Sequence, residues 1–315
     1  MLRGTVKIQE IEFPSLQGNP LRDPDIRPTV VYLPPNYRKE IPCVIALAGF
    51  TGTSLGFLNH DPFSPNLIEQ ADALIRKGLP PFMIAIPDGF TRYGGSQYVN
   101  SSATGRYEDM VIKDFVPWVR KNYRVSSFAI LGKSSGGYGA LHLGMKHPEI
   151  FSGIACHSGD LYFEWVYKHD FPEAAQHLEN YKSVQDFVKS IWKKKKRSSK
   201  DIVTLNIVAM AACYSSGELP FDLKTGRMRD DIWKKWLRFD PINLIEKYSQ
   251  NLKRLKAFYL DCGTQDEFFL HFGARIFSNV LKQKNIPYHY EEFPDGHRNI
   301  GYRYSASLPY LMRRL

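Results

Sequence analysis

The 315-residue chain contains no apolar stretch approaching the ~20 residues that a membrane-spanning helix requires. Its opening, MLRGTVKIQEIEFPSLQG, has neither an apolar core nor a small-residue cleavage site, so a secretory signal is not expected and a cytoplasmic setting is. Cysteine is scarce. Cys43, Cys156, Cys213 and Cys262 lie far apart with no CxxC pair, which argues against metal ligation and predicts buried free thiols. Internal repeats, low-complexity linkers and any clear domain boundary are missing too, so one domain over 1–315 is expected. Acidic residues are in deficit, 32 against 42 Lys and Arg, giving a formal net charge of +10. Much of that excess is the run 193–197 (KKKKR), which ends segment 181–197. There Val184, Phe187, Val188, Ile191 and Trp192 recur at helical spacing. A solvated helix end suits such cations. Attraction of an anionic substrate is an alternative, and a short basic run alone predicts no nucleic-acid partner.

What is present alternates strand and helix, the order of a mainly parallel sheet covered on both faces. Strands are predicted over 6–13, 29–33, 43–48, 82–86, 128–131, 153–156, 257–261 and 288–293. The central ones are short apolar runs such as CVIALA and FMIAI, as burial on both faces demands. Helical patterns occupy 65–77, 107–122, 137–146 and 269–285. The rhythm breaks over about 161–248, which carries helix-like segments without a convincing strand. Asp240-Pro241 there reads as an N-cap followed by proline at the first helical position. A helical, cap-like insertion over one end of the sheet is the expectation.

At the join of the 128–131 strand and the next helix stands Gly132-Lys133-Ser134-Ser135-Gly136, a G-x-S-x-G pattern. A serine raised on a sharp strand-to-helix turn brings the residues two before and two after it into contact, and glycine leaves the room. The following helix turns its free N–H groups toward the place where negative charge develops. Ser135 cannot be the centre of the pattern, because Lys133 stands two residues before it. A phosphate-binding loop is excluded by order, since the lysine precedes the serines.

An acyl-transfer serine also needs a base, an orienting carboxylate and an oxyanion hole. FYLDCGTQDEF supplies Asp266 just past a late strand, with Asp261 inside the strand and Glu267 leading into a helix as alternatives. YEEFPDGHRNIGY supplies His297 after the last strand, with Asp295 too close in sequence to orient it. CVIALAGFTGT supplies Gly49-Phe50-Thr51 after an early central strand. His60, His142 and His147 fall in the wrong places for a base. His157, in CHSGD past a strand end, is expected with Gly49 to line the substrate pocket.

Assembled in this way, the chain resembles the esterase D family of α/β-hydrolases, which includes S-formylglutathione hydrolases, feruloyl esterases, siderophore esterases and mycolyltransferases. The matching stretches span most of the chain: VVYLPPNY, LAGFTGT, IAIPDG, GRYEDMVIKDFVPWV, GKSSGGYGALHLGMKHPEIF, CHSGD, DCGTQDEF and PDGHRNIGY. The resemblance implies an α/β-hydrolase fold and a serine carboxylesterase acting on a small-molecule ester without metal or organic cofactor. It implies Ser134 as nucleophile, His297 as general base, Asp266 as orienting acid, and the N–H groups of Phe50 and Ser135 as the oxyanion hole. An acyltransferase with the same acyl-enzyme is the alternative, and a non-catalytic binding protein would be expected to lack a triad member. A homodimer is compatible with the sequence, which sets no oligomeric state. Three features depart from the family: Ala48 where many relatives have histidine, Lys133 before the nucleophile, and the long, basic segment between CHSGD and the acid. Substrate identity therefore does not carry over.

Overall fold

The computed structural model describes residues 2–315. One eight-stranded sheet is formed by β1 (Thr5–Glu12), β2 (Ile26–Leu33), β3 (Ile41–Leu47), β4 (Met83–Ile86), β5 (Val125–Lys133), β6 (Phe151–His157), β7 (Ala257–Gly263) and β8 (His289–Phe293). The spatial order is β1-β2-β4-β3-β5-β6-β7-β8. β2 pairs antiparallel with β1 and β4, and every other pairing is parallel. This is the α/β-hydrolase architecture, and each predicted strand is found within a few residues of its expected place.

Strand parity divides the core into two layers. Cys43, Ile45 and Leu47 of β3 face one side, with Ile130, Ile154, Leu260 and the helix Ser135–Lys146. Val44 and Ala46 face the other, with Leu131, Ala155, the helix Leu67–Arg76 and the C-terminal helix Tyr304–Met312. Successive side chains of a strand point to opposite faces, so a strand apolar at every position must be covered twice. The two edge strands are the exceptions: only Ile11 of β1 and only Phe293 of β8 are buried.

One helical expectation is corrected. Segment 107–122 is not one regular helix: the turn Tyr107–Asp109 leads through a wide, π-type turn, Met110–Phe115, into the helix Val116–Asn122. Pro117 explains the break. It has no N–H for the preceding turn and its ring crowds the carbonyl four residues back. The C-terminal helix Tyr304–Met312, which carries Pro309 inside it, lies beyond the four helical patterns expected.

Between β6 and β7 come the helices Phe163–Val166, Phe171–Leu178, Val184–Lys193, Ser199–Ser215, Asp230–Leu237 and Pro241–Leu252. Their apolar faces run into the core beside the sheet. Tyr138 of the Ser135–Lys146 helix packs on Phe163 and Tyr214, which in turn meet Tyr167, Trp236 and Phe239. Asp240 caps the last of these helices from its N-cap position and also accepts the N–H groups of Tyr162 and Phe163, tying the two ends of the segment together. The basic run differs from its expected role as a helix end. Only Lys193 is helical; Lys194 turns inward to Asp201 and Tyr181, and 195–197 pass along the surface to the next helix. The four cysteines are buried and unpaired. Among the described residues no helix is long and apolar enough to cross a membrane.

Candidate active site

β5 ends at Lys133 and the helix Ser135–Lys146 begins two residues later, so Ser134 carries the whole reversal of direction. Its backbone stands at φ 58°, ψ −129°, a conformation that L residues rarely hold and that costs about 1–3 kcal/mol. The Ser134 N–H donates to the His157 carbonyl at 3.0 Å, fixing the turn against β6. The flanking glycines are there for space. A Cβ on Gly132 would lie 2.3 Å from the backbone of Gly136, and one on Gly136 would lie 2.2 Å from the Leu47 carbonyl oxygen of β3.

Asp266 and His297 reach the same end of the sheet from β7 and β8. His297 Nδ1 lies 2.8 Å from Asp266 Oδ2, and since a carboxylate only accepts, the ring donates there. The other Asp266 oxygen accepts the Phe268 N–H at 2.9 Å. Asp266 is 2% exposed and His297 6%, and the Phe268 ring stands edge-on to the imidazole at 4.9 Å. Glu267, an alternative acid, instead accepts the backbone N–H of His297 and holds that loop. Asp261, the other alternative, is turned away: it meets His157 Nδ1 at 2.8 Å and Arg303 Nε at 2.9 Å. Asp295 caps its own turn at Gly296. His142 and His147 both face Glu108, and His60 is exposed beside Glu69.

The loop after β3 supplies the third component. Thr51 N–H donates to Gly94 at 2.7 Å and Gly52 N–H to Gly49 at 2.9 Å, while the Phe50 N–H takes no bond among the described residues. Thr51 holds φ 62°, unusual for a β-branched residue, and so directs the chain sharply past Phe50. Ser135 is the first residue of its helix, where no carbonyl lies four residues back to engage its N–H. Its side chain is buried 3.4 Å from Asp160.

A cleft of about 770 Å³ gathers Gly49, Phe50, Ser134, Ser135 and His297. Asp266 stands behind His297 and off the surface. His157 requires a correction: its ring is 1% exposed, bonded to Asp261 and to Ser307 Oγ at 2.8 Å, and does not line the cleft. His157 and Asp261 are paired across adjacent parallel strands, so both side chains point to the face away from the Ser135–Lys146 helix. Sequence reasoning passed over several wall residues: Asp160, Tyr167, Phe268, Leu270, Arg197 and Arg298. Asp160 is the last residue of the recognised CHSGD and Arg298 directly follows His297; for Arg197 the signal was only its place in a basic run for which an anionic substrate was one reading. Burial raises the pKa of Asp160, opposed by hydrogen bonds from Tyr167, Gln97 and Ser135. Burial also draws the Lys133 ammonium below the usual lysine range, against the nearby Asp266 and Glu267 charges. Among the described residues no group of three or more His, Cys, Asp and Glu side chains is arranged to hold a metal ion. A second cleft of about 640 Å³, beyond Thr53, is walled by Ile26, Phe90, Val188 and Trp192 and holds no serine or histidine.

The sheet order, the strand-to-helix turn and the late-strand loops that meet it define an α/β-hydrolase-type esterase. Residues 25–314 match the family described as "Putative esterase", and the chain belongs to that family, an enzyme family hydrolysing carboxylic esters. Among solved structures it is similar to a ferulic acid esterase (18% identity over the whole of both chains, TM-score 0.63). It is also similar to an S-formylglutathione hydrolase from Agrobacterium tumefaciens (17% identity, 100% of this chain and 97% of that one, TM-score 0.64). A third similar structure is FphF, a fluorophosphonate-binding serine hydrolase of Staphylococcus aureus (17% identity, 98% and 97% covered, TM-score 0.61). No curated protein sequence matches the chain significantly.

Proposed function

We propose that the chain is a serine carboxylesterase working through an acyl-enzyme on Ser134. The observation that carries this reading is the buried His297–Asp266 pair, 2.8 Å apart, at the wall of the cleft that also exposes Ser134 on its positive-φ turn. His297 takes the Ser134 proton as the oxygen attacks the ester carbonyl, and the N–H groups of Phe50 and Ser135 receive the oxyanion. Each such donor contributes about 3 kcal/mol to the transition state in mutational tests. Collapse of the tetrahedral intermediate breaks the ester bond, and the departing alcohol leaves with the proton from His297. Water then attacks the acyl-enzyme, giving its proton to His297; collapse of this second intermediate breaks the bond to Ser134, which takes the proton back from His297 as the acid is released. Asp266 keeps the imidazole in the tautomer that presents its other nitrogen and stabilises the charged ring. The helices between β6 and β7 act as a cap-like insertion within one domain over 1–315, shaping the acyl or alcohol pocket. The similarity to a fluorophosphonate-binding serine hydrolase supports the nucleophile assignment.

The test is hydrolysis of p-nitrophenyl acetate, butyrate, octanoate and laurate by wild type and Ser134→Ala, with fluorophosphonate labelling of both. Turnover and labelling that disappear in the variant are expected. Equal rates in the two proteins would overturn the assignment.

A further inference from the structure

The Ser134 cleft has an uneven distribution of charge. Lys133, Arg197 and Arg298 line it, each from a different element: the end of β5, the loop before the helix Ser199–Ser215, and the loop after β8. None of the three makes an ion pair or side-chain hydrogen bond with another described residue. Arg22, Arg38 and Arg254 on the outer surface are without carboxylate partners among the described residues too, so what distinguishes these three cations is their convergence on one cleft beside Ser134. The acids of the same cleft are already engaged. Asp160 accepts from Tyr167 OH at 3.0 Å and Gln97 Nε2 at 3.1 Å, and Asp170 sits 3.3 Å from His169. Between the cations the wall is apolar, formed by Val166, Ile202, Val203, Phe268 and Leu270.

We propose that this cleft selects esters carrying a carboxylate or comparable anionic group on an otherwise apolar body, with Arg197 and Arg298 as its specificity-determining residues and Lys133 adding charge beside the nucleophile. The proposal rests on the esterase reading above and names its substrate class. Guanidinium groups suit such recognition because they stay charged, are weakly hydrated and match the two oxygens of a carboxylate. Lys133 points the same way, since a partly desolvated ammonium gains from a nearby anion. The overall charge of +10 adds long-range attraction for the same ligands. Arg197 also gives the basic run a purpose: its last residue reaches the cleft, whereas Lys195 and Lys196 do not.

The experiment compares matched esters differing by one charge. On the acyl side these are mono-4-nitrophenyl glutarate and 4-nitrophenyl butyrate; on the alcohol side, 4-acetoxybenzoate and its methyl ester. The readout is the ratio of kcat/KM for the anionic over the neutral member, in wild type, Arg197→Gln, Arg298→Gln, the double variant and Lys196→Gln. A wild-type ratio above one in either pair is expected, shrinking with added salt. Each arginine variant should lower it by roughly fivefold to tenfold, the latter being about 1.4 kcal/mol. Lys196→Gln changes net charge equally and should leave the ratio at the wild-type value. Wild-type ratios of one or below in both pairs, or equal falls in Lys196→Gln and Arg197→Gln, would overturn the proposal. Calorimetric binding of the same esters to Ser134→Ala separates this from failure of the hydrolase reading. If wild type turns over no ester, tighter binding of the anionic member still supports the selectivity, and equal binding refutes it.

Discussion

Gly136→Ala tests the geometry on which the candidate site rests. The added methyl would lie 2.2 Å from the Leu47 carbonyl oxygen and 2.9 Å from that of Ala48. Carbon and oxygen normally do not approach within ~3 Å, so relief requires a shift approaching 1 Å. Neither side can give easily: Leu47 is the last residue of β3, paired to Gly132 across β5, and Gly136 is in the first turn of the buried helix. Overpacking of this kind costs about 1–3 kcal/mol in ordinary cores, and collision with backbone places it at the upper end. For a chain of this size, 3 kcal/mol corresponds to a fall in Tm of roughly 5 °C. The shift also moves Ser134, and a 1 Å misplacement of a reacting group costs on the order of 10²-fold in kcat. Thermal denaturation and ester kinetics on Gly136→Ala, beside Gly301→Ala where a methyl meets nothing within 4 Å, measure both effects. A Gly136→Ala protein with the Tm and kcat/KM of Gly301→Ala would refute the packing argument and with it the reason for glycine at this position.

Ser134→Gly and Ser134→Ala should both lack turnover yet differ in stability. Glycine relieves the strain at φ 58° but adds about 0.5–1 kcal/mol of unfolded-state entropy, so Ser134→Gly should be the more stable by about 1 kcal/mol in urea denaturation. Asp266→Asn should lower kcat by on the order of 10³–10⁴-fold with little change in Tm, because it disturbs the tautomer of His297. Asp261→Asn should do the reverse, destabilising by about 1–3 kcal/mol by weakening the buried bonds to His157 and to Arg303, which retains Glu291, as thermal unfolding would show. Burial pushes the Asp240 carboxyl up to about 6 from 3.8, against backbone bonds from Phe163, Ile242 and Tyr162. A raised carboxyl favours the fold fully below the unfolded value and loses that contribution as pH rises through 6. The stability of Asp240→Asn relative to wild type should therefore improve by up to about 3 kcal/mol between pH 3.5 and 7, measured by urea denaturation at each pH.

The strands were legible because doubly covered parallel strands must be apolar at nearly every position, as CVIALA and FMIAI are. The elbow was legible because only glycine fits against Gly132 and Leu47, a constraint that composition records directly. Asp266 was legible from its place just past a strand end. His157 was misread because its direction depends on the register of β6 against β7, where it meets Asp261, and no local pattern encodes that pairing. The wide turn at 110–115 was hidden because the apolar spacing of 107–122 reads as one helix and masks the local effect of Pro117, whereas in the helix through Pro309 tertiary packing outweighs the breaker. Leu308 is fully buried, so its contacts hold what propensity disfavours. Arg197 reads from the sequence as part of a solvated helix end, with an anionic substrate as the alternative, because its position in the cleft depends on how the helices around it pack.

The His157 network places a second Ser–His–Asp grouping, Ser307–His157–Asp261, behind the candidate site. The carbonyl of His157 seats Ser134, while its ring links Asp261 to Ser307 on the C-terminal helix at 2.8 Å in each direction. By residue types and distances alone this grouping would pass for a catalytic relay, yet Ser307 is wholly buried and no reactant can reach it. Chemistry needs a route in, and the inner relay, lacking one, serves as a brace. It joins the Ser134 turn to the opposite face of the sheet, so the turn is steadied from the far side by the last helix of the chain. The last helix is thus part of the scaffolding of the candidate site, and its first residue, Tyr304, also lines the cleft.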